Sequence, residues 1–311
     1  MLFRSPYRGA GRPEATFAVE RVIDQAAREM GIDKVELRRR NIIAPDAFPY
    51  QTPLNYNYDS GEFERNMDRA LEMADAAGFA ARRDAAKSAG KLRGLGIANA
   101  IEQAAGMFDE GAELRVDGAG IVTILSGVHS HGQGHATVFR QLVSERLGVD
   151  VEKIRYVQGD TDHVAYGHGT GGSRASGLAG SAMHLAAQRI IDKGKRIAAH
   201  ALEAADADIE FEDGRFSVAG TDRLLEFEAI ARIAHTVRGL PADMDSGLTA
   251  FASFTPPGPT FPNACHLCEV ELYPTTGEIE VTGYWAVEDV GRVMNPLLLK
   301  GQLHEIGRAH V

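Results

Sequence analysis

Two cysteines and a single tryptophan in 311 residues are the first things this sequence has little of. Two thiols are too few for a disulfide framework or for the cysteine sets that hold iron–sulfur clusters, and they suit a reducing compartment. No run approaches the roughly 18 apolar residues of a membrane span, and the N-terminus has no apolar secretory core. The expected location is cytoplasmic. Basic residues are in deficit: 33 Lys and Arg stand against 43 Asp and Glu, and the net charge of −10 is spread in short groups. Neither a nucleic acid nor an anionic membrane is therefore expected as a partner. A glycine-rich loop ending in Gly-Lys-Ser/Thr is missing, as is G-x-G-x-x-G spacing, so neither the P-loop nor the dinucleotide fingerprint applies.

What is there is 44% hydrophobic residues, enough for real cores, and 34 glycines, several of them clustered. The turn "YRGAGR" feeds a stretch in which Phe17, Val22, Ile23 and Ala26 recur at helical spacing, and Gly31 is placed to end the helix. After a Pro- and Tyr-containing connection, a second helical stretch runs from about Glu62 to Ala77. Residues 81–93 have charge, little bulk and glycine breaks, and read as a linker. From Gly94 strands take over: "GLGIANAIE", "AELRVDG" and "GIVTILSGV", the last two joined at Asp117 and Gly118. "ATVFRQLVSERLG" is helical, "KIRYVQGD" is a strand, and a long helix rich in small residues follows Ser176. "CHLCEVELYPTTGEIEVTGYWAVEDV" reads as a hairpin turning at Thr275 to Gly277. The expected class is mixed α+β.

The stretch "VHSHGQGHATVF", residues 128–139, admits three readings. His129, His131 and His135 could ligate a metal, with the first two on one face of a strand, although no fourth ligand has motif spacing. They could be polar turn residues. Or Gly132 and Gly134 let the backbone approach an anion, while the helix that follows offers free N–H groups and the positive end of its dipole. A second such loop, "GDTDHVAYGHGTGGSRASG", puts Gly169, Gly171 and Gly172 before Ser173, Arg174 and Ser176 at the mouth of the long helix. Two glycine-rich loops that each open a helix suggest a bulky, phosphate-bearing ligand. In "CHLC", Cys265 and Cys268 lie three apart on a strand and point to opposite faces, so a structural role is expected. Asp160 and Asp162 at a strand end are expected to cap a turn.

Taken in order, "YRGAGRPEATFAVERVIDQAAREMG", "HGQGHATVF", "QGDTD" with "GHGTGGSRAS", "FPNACHLCEVEL" and "EDVGRVMNPLLLKGQLH" resemble the large, molybdopterin-binding subunit of the molybdenum hydroxylases. This is the family of xanthine dehydrogenase, aldehyde oxidase and the carbon monoxide dehydrogenase large chain. The resemblance runs from Pro6 to His304. It implies the C-terminal part of a first molybdopterin-binding domain at 6–80, a linker at 81–93, and the first large part of a second domain at 94–304, so that the α+β fold is incomplete at both ends.

The resemblance also implies a molybdenum–molybdopterin cofactor in its cytosine dinucleotide form, held by backbone N–H groups and short polar side chains. Gly132, Gln133 and Gly134 would contact the pterin. Thr137 and the loop Gly172, Ser173, Arg174, Ala175 and Ser176 would cradle phosphates, and Gln302 would add a further contact. The histidines become turn neighbours, with no metal ligand from the protein. Arg8 would orient substrate and stabilise developing negative charge, as a preorganised donor does.

The reaction implied is oxidoreductase chemistry on an aldehyde or aromatic N-heterocycle: a molybdenum-bound hydroxide attacks, hydride passes to the metal centre, and a glutamate acts as base. Electrons would leave through iron–sulfur and FAD partner subunits. Carbon monoxide dehydrogenases carry copper on a cysteine where this chain has Gly9, and purine-oxidising relatives often have an aromatic residue where it has Ala10. A non-catalytic nucleotide- or anion-binding protein built on the same two loops is the competing reading.

Family members carry a "GGGFG"-like segment before the "YRGAGR" loop and the catalytic glutamate in a "GVGE"-like segment after "GQLH"; neither occurs in this sequence. Residues 1–5 and 305–311 can be translated from the two ends of a common sequencing-library adapter, and are expected to be adapter-derived. The piece alone is then expected to be inactive. Sequencing the source DNA outward from codons 6 and 304 should run into both missing segments in frame. A frame that truly ends at Val311 would remove the enzyme reading and leave the binding protein.

Overall fold

The computed structural model describes residues 9–106 and 108–304. The chain divides into two compact units, residues 1–103 with 260–292 and residues 104–259 with 293–311. The first unit begins with α1 (Arg12–Met30), α2 (Lys34–Arg39), the short paired strands β1 (Tyr50–Gln51) and β2 (Asn57–Tyr58), α3 (Phe63–Met73), α4 (Phe79–Ser88) and β3 (Leu92–Ile101). The second runs through β4 (Glu110–Val116), β5 (Val122–Ser126), α5 (His135–Leu147) and β6 (Ile154–Gln158). A π-helical turn (Ala175–Ala179) leads into α6 (Gly180–Ala201), then β7 (Ile209–Glu212), β8 (Arg215–Val218), β9 (Leu224–Glu226), α7 (Phe227–Ala234) and β10 (Leu248–Phe254). The chain returns to the first unit with β11 (Asn263–Leu272) and β12 (Ile279–Asp289), and to the second with α8 (Pro296–His304). The class is α+β, as the residue pattern predicts. Among the described residues no helix is long and apolar enough to cross a membrane.

In the first unit an antiparallel sheet of order β12-β11-β3 buries one face. Burial alternates strictly along β11, the period-two signature of a strand with one covered side, and Cys265 and Leu267 pack with Ile97 of β3 on Met67 and Ala70 of α3. β3 is an edge strand, and charged side chains close its open edge. Asn99 N–H donates to the Glu20 carboxylate at 3.1 Å, the Ile97 carbonyl accepts from Arg38 at 3.3 Å, and the Leu95 carbonyl accepts from Lys34. Burial lowers the Lys34 pKa from its ordinary value. Arg38 is buried and also pairs with Glu20 at 2.5 Å and Asp24 at 2.9 Å. An unpaired strand edge invites pairing with another chain, and this network occupies it.

The helix predicted from Phe17, Val22, Ile23 and Ala26 is α1; Phe17 and Val22 are 69% and 66% exposed, Ile23 and Ala26 are half-buried, and Glu20 and Ala27 are buried. It meets the β3 edge through charge as well as apolar contact. One expectation is corrected: the segment 81–93 is no linker. Most of it is α4, it leads directly into β3, and the boundaries between the compact units fall elsewhere. Arg82 and Arg93 of that segment both pair with buried Glu269 of β11, an attachment that sequence-distant partners supply.

The second unit is built on a sheet of order β10-β4-β5-β6. β4 and β5 form the expected hairpin, its turn held by the Asp117 carboxylate accepting from the Ala119 and Ile121 amides. β5 and β6 are parallel, and α5 is the crossover between them. The core gathers Leu114, Ile124, Phe139, Met183 and Ile190, each buried to within 1% of complete and each contributing about 1.5–3 kcal/mol by leaving water. α6 runs through this core on small residues. Gly194 lets Phe216 of β8 come so close that a Cβ at residue 194 would sit 2.5 Å from its ring.

Replacing Arg38 with Met should destabilise the fold by about 3–5 kcal/mol, because it leaves Glu20 and Asp24 partly buried without their cation. Urea unfolding measures the difference; a loss below about 1 kcal/mol would mean that the edge network is dispensable.

Candidate functional site

The parallel pairing of β5 and β6 sets Ser126 opposite Gln158, so the two strands end side by side. The first glycine-rich loop leaves the end of β5 and the second leaves the end of β6. Ligand sites in sheets with parallel strands sit at these carboxyl ends, where crossover helices begin. The two loops are bonded to one another: the His129 amide donates to the Thr170 hydroxyl at 3.0 Å, and that hydroxyl donates to the His129 carbonyl at 2.6 Å. The Ser130 amide donates to Gln158 Oε1 at 3.0 Å. Two loops that read as separate in the sequence therefore form one surface.

Within the first loop Gly132 has φ +111° and Gly134 φ +78°, backbone that side-chain-bearing residues rarely adopt. The Gln133 side-chain oxygen accepts from the His131 amide, and from the Ser130 hydroxyl at 3.4 Å, so the amide end of Gln133 is its remaining donor. Gly134 is the N-cap of α5, no side chain caps that helix, and Thr137 is exposed in its first turn. His129 and His131 lie in irregular loop rather than on a strand, their rings edge-to-face with centroids 4.5 Å apart. His135 is buried against Phe139, and its Nδ1 has no hydrogen-bond partner among the described residues. Burial first, then the neighbouring His131 and His129, lowers its pKa below the usual imidazole value.

In the second loop Gly172 has φ +59° and Ser173 φ +51°; Ser173 and Ser176 are exposed, and the π-helical turn begins at once. Arg174 does not point outward. It is buried, donates to the Gly169 carbonyl through Nε at 3.1 Å and Nη2 at 2.5 Å, and lies 3.8 Å from buried Glu110. Ala175 is buried in the core and offers only its backbone. Gln302 lies half-buried on α8, one turn beyond Leu298 and on the same side of the helix. Leu298 presses on Gly134, where a Cβ would meet it at 2.8 Å. Arg8 lies outside the described residues, as do positions 1–5 and 305–311. Of the loop beside Arg8, Gly9, Ala10 and Gly11 all have positive φ.

Sequence reasoning missed three contributors. Thr170 joins the loops, and its hydroxyl among glycines was a legible signal. Glu110 opens a strand and looks like any solvent-facing charge, so nothing local marks it. The segment that precedes β4 reaches the second loop through the Ala105 amide, which donates to the Gly172 carbonyl at 3.2 Å; Ala105 and Phe108 both have positive φ. Elsewhere, Cys265 and Cys268 are free and turn to opposite faces, and burial pushes the Cys265 thiol up to about 12. Asp160 caps its turn, its carboxylate accepting from the Asp162 amide at 2.9 Å. Among the described residues no three His, Cys, Asp or Glu side chains are grouped to hold a metal ion.

Glycine-rich turns thus stand at two helix entrances and are joined across a parallel strand pair, and free main-chain amides are what a helix N-terminus offers an anion. The chain belongs to the molybdopterin-binding large-subunit family of the molybdenum hydroxylases. Two family models, each described as a molybdopterin cofactor-binding domain, match residues 69–304 and 2–42. The chain is 34% identical to the carbon monoxide dehydrogenase large chain of Hydrogenophaga pseudoflava and 36% identical to the nicotine 6-hydroxylase large subunit of Paenarthrobacter nicotinovorans. These matches cover 94% and 96% of this chain but 38% of each relative. Among solved structures it superposes on a Cu,Mo-CO dehydrogenase with a TM-score of 0.86 at 32% identity, covering 94% of this chain and 39% of that one. On quinoline 2-oxidoreductase from Pseudomonas putida 86 the TM-score is 0.85 at 31% identity, with coverage of 92% and 38%. The chain thus spans little more than a third of the length of these relatives.

The depressed His135 pKa fixes the sign of a pH effect. A neutral imidazole is favoured in the fold, so its contribution to stability is present above the ordinary histidine pKa of 6.5 and is lost as pH falls below it. The melting temperature should fall less between about pH 7 and about pH 5.5 in His135→Leu than in the parent. Identical slopes would show that His135 does not titrate against folding.

Proposed function

We propose that this chain is the cofactor-holding section of a molybdenum hydroxylase large subunit that oxidises an aldehyde or an aromatic N-heterocycle. The observation that carries the reading is the two-way hydrogen bond between Thr170 and His129, which makes one receptor of two anion-binding loops. The residues suit the cofactor. A Cβ at Gly132, Gly171 or Gly172 would meet nothing within 4 Å, so these backbones face open space and a ligand can approach closely.

On this reading Gln133, held by its oxygen, donates its amide N–H to the pterin. The Thr137, Ser173 and Ser176 hydroxyls and the amides from Gly172 to Ser176 receive phosphate oxygens, and Gln302 adds a contact from α8. Two separate anion-receiving turns suit a pyrophosphate-linked dinucleotide form better than a single phosphate. Bound molybdenum–molybdopterin supplies two-electron oxidation of a substrate carbon. Arg8 orients that substrate and balances developing negative charge. The base and the rest of the cofactor's enclosure lie in segments outside this piece, which alone is inactive. On the same reading, electrons pass to iron–sulfur and FAD partner subunits, in the cytoplasm.

Gly9 argues against carbon monoxide as substrate. Its φ is +80°, and a Cβ there would lie 2.7 Å from Pro13 Cδ, so this turn does not accept a cysteine to carry copper. The full-length complex should contain stoichiometric molybdenum and pterin, no copper, and activity on N-heterocycles or aldehydes but not on carbon monoxide. Gln133→Ala should lower molybdenum content roughly tenfold. A full-length protein that binds nucleotide without molybdenum would replace this reading with the non-catalytic binder.

A further inference from the structure

Glu110 is fully buried at the start of β4, in a place where a carboxylate needs a reason. Its oxygens accept the His168 amide at 3.1 and 3.3 Å and the Gly111 amide at 3.3 Å, and Oε2 lies 3.8 Å from Arg174 Nη2. Arg174 in turn closes the loop on itself through the Gly169 carbonyl, and its guanidinium lies 5.4 Å from the Phe108 ring. Beneath this pair the backbones of Gly127 and Gly167 touch. A Cβ on either would lie 2.5 Å from the other's Cα, and one on Gly167 would also lie 2.5 Å from Glu110 Oε1. One carboxylate therefore ties the glycine-rich part of the second loop, from His168 to Arg174, to the strand beside which the first loop departs.

We propose that Glu110, with Arg174 as its counter-ion, is the positioning residue that holds the second glycine-rich loop in its anion-receiving shape, and that Arg174 is a staple of this loop rather than a phosphate ligand. This rests on the cofactor reading above. An arginine in a "GGSRAS" run reads from sequence as a phosphate contact, but its charge is spent inside the protein. Phosphate recognition falls to amides and hydroxyls, whose directions depend on the loop's conformation. Glu110 acts on the ligand only through that conformation.

A double-mutant cycle in the full-length subunit, in its native assembly, tests this. Glu110→Gln keeps an acceptor for the His168 amide and removes the charge; Arg174→Met removes the staple; the double variant removes both charges. Two quantities are read: hydrogen exchange of the 168–174 amides against those of β4 and β5, and the rate at which molybdenum and pterin are lost on dilution. Each single variant should speed loop exchange and cofactor loss by about tenfold with the strand amides unchanged, and the double, which lacks the same staple, should stay within about threefold of Arg174→Met rather than multiply the two effects. If Arg174→Met and the double are equally poor while Glu110→Gln holds cofactor normally, Arg174 is a phosphate ligand and the proposal falls. It falls too if loop and strand amides lose protection together, since the pair then only stabilises the fold. A parent protein without molybdenum overturns the cofactor reading instead, and the exchange pattern still decides whether Glu110 anchors the loop.

Discussion

Everything at the site depends on β5 and β6 running parallel with Ser126 opposite Gln158. An antiparallel partner would send its following loop to the far end of the sheet. A parallel one delivers two loops to the same edge and requires a crossover, and here the crossover is α5, whose uncapped N-terminus opens at that edge. The contact of Gly127 with Gly167 and the Thr170 bridge to His129 are consequences of this pairing. They also explain why glycine is needed at 127 and 167, where neither residue has positive φ: the demand there is for space between two backbones, not for torsional freedom.

Both units use buried charge to satisfy backbone rather than to do chemistry. In the first, Glu20, Arg38 and Lys34 complete the open edge of β3; in the second, Glu110 and Arg174 complete the amide and carbonyl of an irregular loop. Burying an ion pair gains little net stability, because desolvation offsets most of the attraction. Its directional hydrogen bonds do exclude alternative loop conformations. On the proposed reading, in which main-chain amides bind the ligand, this matters more than stability, since amides aimed in advance lose less entropy on binding.

Relatives of this chain act on substrates as different as carbon monoxide and nicotine, by their names, at nearly equal identity. Overall similarity therefore does not choose a substrate class.

Local pattern determined much by itself: the stop of α1 at Gly31, the alternating faces of β11 that separate Cys265 from Cys268, the turn at Asp117, and the two glycine-rich helix entrances. These are short-range consequences of torsional freedom and side-chain periodicity, and neighbours in sequence suffice to set them. The family was legible too, because five motifs kept their order. Which face of α1 turns inward, that residues 81–93 hold most of α4 and the start of β3 rather than a linker, and that Arg174 folds back into the loop were decided by partners far away in sequence: the β3 edge, Glu269 and Glu110. A charged side chain carries no local mark of whether it will meet water or a buried counter-ion. Only the tertiary structure supplies the counter-ion.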